Sequence, residues 1–296
     1  MVSFKDVHHI CIGFDQHADV MFNRAIIRND FDNSDDLWLT LVYNGDLDRV
    51  PSGAGENTFI KIEDNRGYGY GALDAINKGL DFASAGYRDI VILTNFDGYF
   101  FSEEKYKVLL NEFIESGKPF CAGLHTQYKV PLTDLMLFKR DFLKELLPIK
   151  DEVAATRKEM EFLKEQYEGT LLGFDNVEEW VFSALHELGD PDKLWHKMQR
   201  DDLGPDEHRY RYTDKYGFGH FHWLEERFWE RAGTEAGKSK SESELLNSIK
   251  TYMSKHNNSA GGAVEKYLQS AGWMAYEERM HKAMHHLLKE EMKKDV

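Results

Sequence analysis

The stretch Ile90-Val91-Ile92-Leu93-Thr94-Asn95-Phe96-Asp97 sets the frame for the whole chain. Four consecutive β-rich apolar residues, closed by polar ones, are the pattern of a strand buried on both faces, as in a parallel sheet with helices above and below. Just upstream, Ala72 to Ala85 reads as a helix, with Ala72, Ile76, Gly79, Leu80 and Ala83 on one face and Gly86 as its stop. Further upstream the alternation repeats. Val7 to Ile12 is an apolar run ending at Gly13, residues 17–29 carry a helical stripe (Val20, Phe22, Ala25, Ile26), Leu37 to Tyr43 is β-rich and Thr58 to Ile62 is a third strand. Strand and helix signals in alternation over the first 145 or so residues imply an α/β, Rossmann-like, mostly parallel sheet flanked by helices. In such sheets ligands bind outside the carboxyl ends of the strands. The residues to watch are therefore Gly13 to Asp15, Asn44 to Asp48, Asp64 to Gly71 and Asn95 to Gly98.

From about residue 147 the pattern changes. Residues 151–168 form a charged helix and 176–188 a second one; 189–219 is loop-like; His220 to Arg231 is aromatic and helical in part. Residues 232–245 read as a solvated linker, and 245–294 as two helices broken around residues 257–262. The domain reading is a main domain over 1–231 and a helical C-terminal extension over 245–296.

The chain has 296 residues, 42% of them hydrophobic and 13% aromatic, which excludes global disorder. Its net charge of −15 argues against broad binding to nucleic-acid phosphates or anionic lipid. Two cysteines, Cys11 and Cys121, exclude a disulfide scaffold and read as buried thiols. No secretory leader is visible at the start, and no apolar run approaches the roughly 20 residues of a membrane span, so a cytoplasmic location is expected.

Residues 65–79 (Asn-Arg-Gly-Tyr-Gly-Tyr-Gly-Ala-Leu-Asp-Ala-Ile-Asn-Lys-Gly) concentrate glycines just before a helix, where unpaired N–H groups suit an anion. Taken alone, Gly67, Gly69 and Ala72 fit a loose dinucleotide fingerprint. That fingerprint belongs after the first strand, whereas here two strand–helix units come first.

Four segments in order resemble the family 2-like GT-A glycosyltransferases. They are Val42-Tyr43-Asn44-Gly45-Asp46-Leu47-Asp48, Asn65-Arg66-Gly67 with Gly71-Ala72 and Asn77-Lys78-Gly79, Ile92-Leu93-Thr94-Asn95-Phe96-Asp97, and Asp134 to Phe142. The resemblance spans roughly residues 5–230. It implies a GT-A fold and transfer of a hexose-like sugar from a nucleotide-sugar donor to a glycan or other acceptor hydroxyl, with inversion and with Mg²⁺ or Mn²⁺. It also implies a donor pocket drawn from Gly13, Asp15, Asn44, Asp46, Asp48, Asn65, Gly67, Gly71, Asn95 and Asp97.

The motif Asn95-Phe96-Asp97 stands where the family's D-x-D lies, and departs from it at the first acid. Asp97 is then the expected metal ligand, with Asn95 offering a carbonyl oxygen or a ribose contact; the alternative is a strand-end turn. Gly173 to Trp180 resembles the segment that carries the general base, which places Glu178 or Glu179 in that role, with Asp175 next; Asp175 also suits a helix N-cap. A late histidine completes the metal site in many such enzymes. His220 and His222 lie in that part of the chain, and in a strand an H-x-H pair shares one face. The pair His8-His9 in the opening strand is a weaker candidate. Residues 207–216 read as a solvated loop or as a lid over the diphosphate.

A non-catalytic relative is the competing expectation, motivated by Asn95, and a dinucleotide-binding oxidoreductase is the third. Self-association through the C-terminal helices is the expected mode of assembly.

Overall fold

The computed structural model describes residues 2–13, 23, 27–28, 31–44, 56–64, 66, 68–100, 102–125, 129–151, 177–200 and 210–221. The expected charged helix over 151–168, the linker and the C-terminal helices lie outside the described residues, as do Trp223, Phe228 and Trp229.

Seven strands form one sheet: β1 (Val7–Gly13), β2 (Trp38–Tyr43), β3 (Thr58–Lys61), β4 (Ile90–Asn95), β6 (Phe120–Leu124), β7 (Pro131–Lys139) and β8 (Trp195–Met198). Their order is β3-β2-β1-β4-β7-β6-β8. Strands β3, β2, β1 and β4 are mutually parallel, β7 runs against both β4 and β6, and β8 is parallel to β6. The fold is thus the expected Rossmann-like, mostly parallel sheet, with one strand reversed. The chain winds outward from β1 to β3, then returns to β4 on the other side of β1, which makes the β1–β4 boundary a topological switch point. A second sheet of three antiparallel strands, β5 (Gly98–Phe100), β10 (Phe218–Phe221) and β9 (Tyr210–Thr213), has β10 at its centre.

The uninterrupted apolar run of β4 feeds both faces of the large sheet, as its composition requires. Val91 and Leu93 join one core with α1 (Tyr68–Ser84), α3 (Arg140–Leu146) and α4 (Val177–Leu188); Ile90 and Ile92 join the other with α2 (Glu103–Glu115). Each large side chain so buried contributes roughly 1.5–3 kcal/mol. Helix α1 approaches the sheet closely because Gly79 has no side chain: a Cβ there would lie 2.9 Å from Ile10 Cγ2 and 3.0 Å from Val42 Cγ2. Asn77, two residues before Gly79 on the other side of the helix, donates to the Ile149 carbonyl (2.8 Å) and accepts from its N–H (2.9 Å). The Asn-x-Gly unit therefore fastens α1 to its surroundings. Both cysteines are buried free thiols, and burial pushes the Cys121 thiol well above its usual range.

Two expectations need correction. Residues 189–219 are not simply a loop: they hold a short helix, α5 (Pro191–Leu194), then β8, β9 and the start of β10. The alternation in Trp195-His196-Lys197-Met198 is masked by its polar middle, and the strand is held by the sheet edge, where Trp195 Nε1 donates to the Ala122 carbonyl at 3.1 Å. His220 stands in a strand, as the H-x-H reading has it, and the helical part expected from residue 220 onward does not begin there: Phe218 and His220 pair with Phe100 and Gly98 of β5.

Candidate active site

The carboxyl ends of the parallel strands converge where the sequence placed them. Gly13 closes β1 and Asn44 follows β2; the Asn44 N–H donates to the Gly13 carbonyl at 2.8 Å, tying the two strand ends together, and Asn44 is buried. Asn95 ends β4, and Phe96 packs against Cys11, Leu41 and Tyr43 below it. Gly71 is buried in the first turn of α1. Gly69 and Gly71 thus lie inside a helix that follows the edge strand β3, not in a loop after the central strand, which is not the geometry of a dinucleotide fingerprint. Asp15, Asp46, Asp48, Asn65, Gly67, Asp175 and His222 lie outside the described residues.

Asp97 and His220 meet. Asp97 sits in the two-residue turn between β4 and β5, buried to 1% exposure. Strand β5 pairs with β10 in a register that sets His220 opposite Gly98, the neighbour of Asp97. His220 Nε2 comes to 3.2 Å from Asp97 Oδ1. Gly98 is required at that crossing, since a Cβ would lie 3.0 Å from Phe218 Cζ and 3.3 Å from the Asn95 carbonyl oxygen. The Asn23 side-chain amide donates to the Gly98 carbonyl and fixes the turn from its other side. Asp97 thus sits in the strand-end turn and also faces His220 of the neighbouring sheet.

Two residues of the cluster escaped the sequence reading as individuals. Asp134 Oδ2 lies 3.3 Å from His220 Nδ1, and Arg200 Nη1 lies 2.8 and 2.7 Å from the two Asp134 oxygens. The side chains of Arg200, Asp134, His220 and Asp97 are 0%, 4%, 4% and 2% exposed. Asp134 had a visible signal: a carboxylate inside the apolar run Pro-Leu-Thr-Asp-Leu-Met-Leu-Phe has to be paired if that run is a buried strand. Arg200, in a connection after β8, had none. The local cause is a register slip. Ala122 faces Met136, but Leu124 faces Pro131, so residues 132–135 of β7 bulge opposite Gly123 alone. Bulges of this kind re-aim side chains near functional sites.

The two candidate bases are now distinguishable. Glu178 is half-buried at the start of α4, and its Oε1 accepts from Thr133 Oγ1 at 2.8 Å, one residue from Asp134. Glu179 is 1% exposed, inside the molecule. Of the two, Glu178 is the more exposed. The histidines of β1 are core groups: His8 Nε2 contacts Thr40 Oγ1 at 2.7 Å, and His9 Nε2 contacts Thr94 Oγ1 at 3.0 Å. The described part of 207–216 is built into the small sheet rather than hinged over a pocket. Residues 210–213 are β9, Tyr216 is buried, and its hydroxyl donates to Glu112 Oε1 at 2.8 Å.

A carboxylate oxygen and an imidazole nitrogen side by side are donors that suit Mn²⁺ or a similar divalent ion. Among the described residues no group of three or more His, Cys, Asp or Glu side chains is arranged to hold a metal alone. Two such donors would leave most of a divalent ion's coordination positions to other ligands.

No family model and no curated protein matches the chain. Solved structures to which it is similar include glycosyltransferases. The mannosyltransferase PcManGT from Pyrobaculum calidifontis, in complex with GDP-Man and Mn²⁺, is 11% identical with a TM-score of 0.43, over 97% of this chain and 86% of that one. The galactosyltransferase LgtC, in complex with donor and acceptor sugar analogues, is 10% identical with a TM-score of 0.35, over 60% of this chain and 70% of that one. The glycosyltransferase GlyE of Streptococcus pneumoniae TIGR4 is 10% identical with a TM-score of 0.36, over 65% and 45%. The fold assignment stands on the strand order and directions given above. No helix among the described residues is long and apolar enough to cross a membrane.

Proposed function

We propose that this chain is a GT-A-type glycosyltransferase that moves a sugar from a nucleotide-diphosphate donor to an acceptor hydroxyl with inversion, within a catalytic domain spanning residues 1–231. The observation that carries the reading is the approach of His220 Nε2 to Asp97 Oδ1 at 3.2 Å, buried at the carboxyl end of β4 beside the switch point of the sheet. Residues so far apart in sequence, both metal candidates through the resemblance, lie side by side near the carboxyl ends of the strands, where such sheets bind nucleotides.

Asp97 and His220 hold the divalent ion, with Asn95 at the rim; a bound Mg²⁺ or Mn²⁺ supplies charge compensation for a departing diphosphate. A chain with net charge −15 repels an anionic donor, so a cation at the mouth also serves its approach. Gly13 and Asn44 line the nucleotide side, with Asp15, Asp46, Asp48, Asn65 and Gly67 as proposed partners there. Glu178, held by Thr133, accepts the proton of the acceptor hydroxyl.

The test is donor turnover over a panel of GDP- and UDP-sugars with Mn²⁺. Asp97→Ala is expected to abolish metal-dependent donor binding. Glu178→Gln is expected to lower turnover by about 10²-fold or more with donor affinity kept, whereas Glu179→Gln acts mainly on stability. If no donor in the panel is bound or turned over, the chain is a binding module and the enzyme reading falls.

A further inference from the structure

Asp97, His220, Asp134 and Arg200 come from four separate elements: the β4–β5 turn, β10, the bulge of β7 and the connection after β8. Alternating acid and base, they form one buried line from Asp97 through His220 and Asp134 to Arg200. Taking four ionisable groups out of water is expensive, and the attraction between them repays it only when the geometry is good. The surroundings are shaped for it. Gly123 leaves room for the arginine, since a Cβ there would lie 2.8 Å from Arg200 Cδ. The Phe218 ring lies under the guanidinium at 5.4 Å.

We infer that Asp134 and Arg200 are positioning residues that act through His220. This inference rests on the proposed metal role of His220. An imidazole has two ring nitrogens, and the partner of one decides which way the other faces. Asp134 faces Nδ1, so Nε2 is turned to Asp97 and to a cation beside it. Both Asp134 oxygens lie within 2.8 Å of Arg200, which balances the Asp134 charge and holds the carboxylate in place. Asp134 is thereby held by Arg200 on the Nδ1 side of the ring, 3.3 Å from Nδ1 and away from a cation at Nε2. The division of labour follows: Asp97 and Nε2 face the cation, and Asp134 and Arg200 keep the ring from turning.

The experiment is a double-mutant cycle on Mn²⁺ affinity, read from the electron paramagnetic resonance signal of free Mn²⁺ with GDP or UDP in excess. The proteins are the full chain, Asp134→Asn, His220→Ala and the double variant, each checked for folding by circular dichroism. Asp134→Asn is expected to weaken Mn²⁺ binding about tenfold or more, as loss of a ligand's outer partner does. His220→Ala is expected to weaken it at least as much, and the double variant no further. Equal weakening by Asp134→Asn with and without His220 overturns the inference, because a purely structural role acts in both backgrounds. No weakening by Asp134→Asn in the presence of His220 overturns it as well. If the wild-type chain takes up no Mn²⁺ with either nucleotide, the transferase reading falls and takes the inference with it. If Asp134→Asn does not fold, Gly123→Ala, which crowds Arg200, enters the cycle in its place with the same expected pattern.

Discussion

Two of the arginine–carboxylate clusters among the described residues are opposites. Arg66 lies between Asp74 at 2.6 Å and Asp151 at 3.2 Å, with its side chain 46% exposed and its partners 27% and 39% exposed. Arg200 grips Asp134 at 2.7 Å with both side chains almost wholly out of water. The distances are alike; the surroundings are not. In water the pairing competes with hydration and with salt, and its net worth is about 1 kcal/mol or less. Inside the protein each charge depends on its partner, so removing one leaves the other stranded. The first cluster fastens the outside of α1 to the end of the main sheet's connections. The second is kept in spite of its cost, and it lies against the two residues that meet at the end of β4.

The widest separation between the clusters is expected on deleting the arginines. Arg200→Met should destabilise the fold by about 3–5 kcal/mol in urea unfolding, since it strands the Asp134 carboxylate. A loss as small as that of a surface pair would mean that Asp134 is satisfied without Arg200, and would break the contrast. Next comes Gly123→Ala. A Cβ 2.8 Å from Arg200 Cδ and 3.0 Å from Leu132 Cδ1 is expected to cost about 1–3 kcal/mol, measured the same way.

A half-buried cluster around Glu112 gives an intermediate case. Burial pushes its carboxyl up, but hydrogen bonds from Lys215, Tyr216 and His196 outweigh that and hold it below the usual carboxylate range. The stability it contributes is present above the ordinary glutamate value of about 4.3 and is lost as pH falls through the lower folded value. Glu112→Gln is therefore expected to be less stable than wild type at neutral pH, with the gap closing below about pH 4 in pH-dependent unfolding. A gap that stays constant across that range would show that the charge of Glu112 does not matter. The smallest effect is expected for Arg66→Met, about 1 kcal/mol or less and smaller still in high salt. A larger, salt-insensitive loss would place Arg66 with the buried cluster.

The same contrast explains what the sequence could reveal. β1, β2 and β4 are apolar, β-rich runs whose burial on both faces leaves its mark on most residues, so their existence was legible, while their order in the sheet came only with the structure. Asp97 and His220 were legible through the resemblance and through the chemistry of their side chains. Strands β8, β9 and β10 were not, because each has four residues and owes its conformation to its neighbours. Arg200 was invisible for a related reason: its role depends on a bulge in β7 and on the missing side chain of Gly123, and neither lies near it in sequence. Asn77 and Gly79 were read within the segment that carries the family resemblance, Gly79 also on the apolar face of its helix. In the structure Asn77 bonds to the backbone of Ile149, and Gly79 admits α1 to the sheet.

The pairing of β5 with β10 has a consequence for how the site is made during synthesis. All seven strands of the large sheet have been made once Met198 has left the ribosome, and domains fold as the chain emerges. Asp97 has by then been made, yet its histidine partner is carried by the last described strand, which is also the sheet partner of β5, and arrives only with residue 220. A nascent chain that stops short of β10 holds the strands of the main sheet but lacks the paired centre, so completion of the site is a late, long-range event in the history of each molecule.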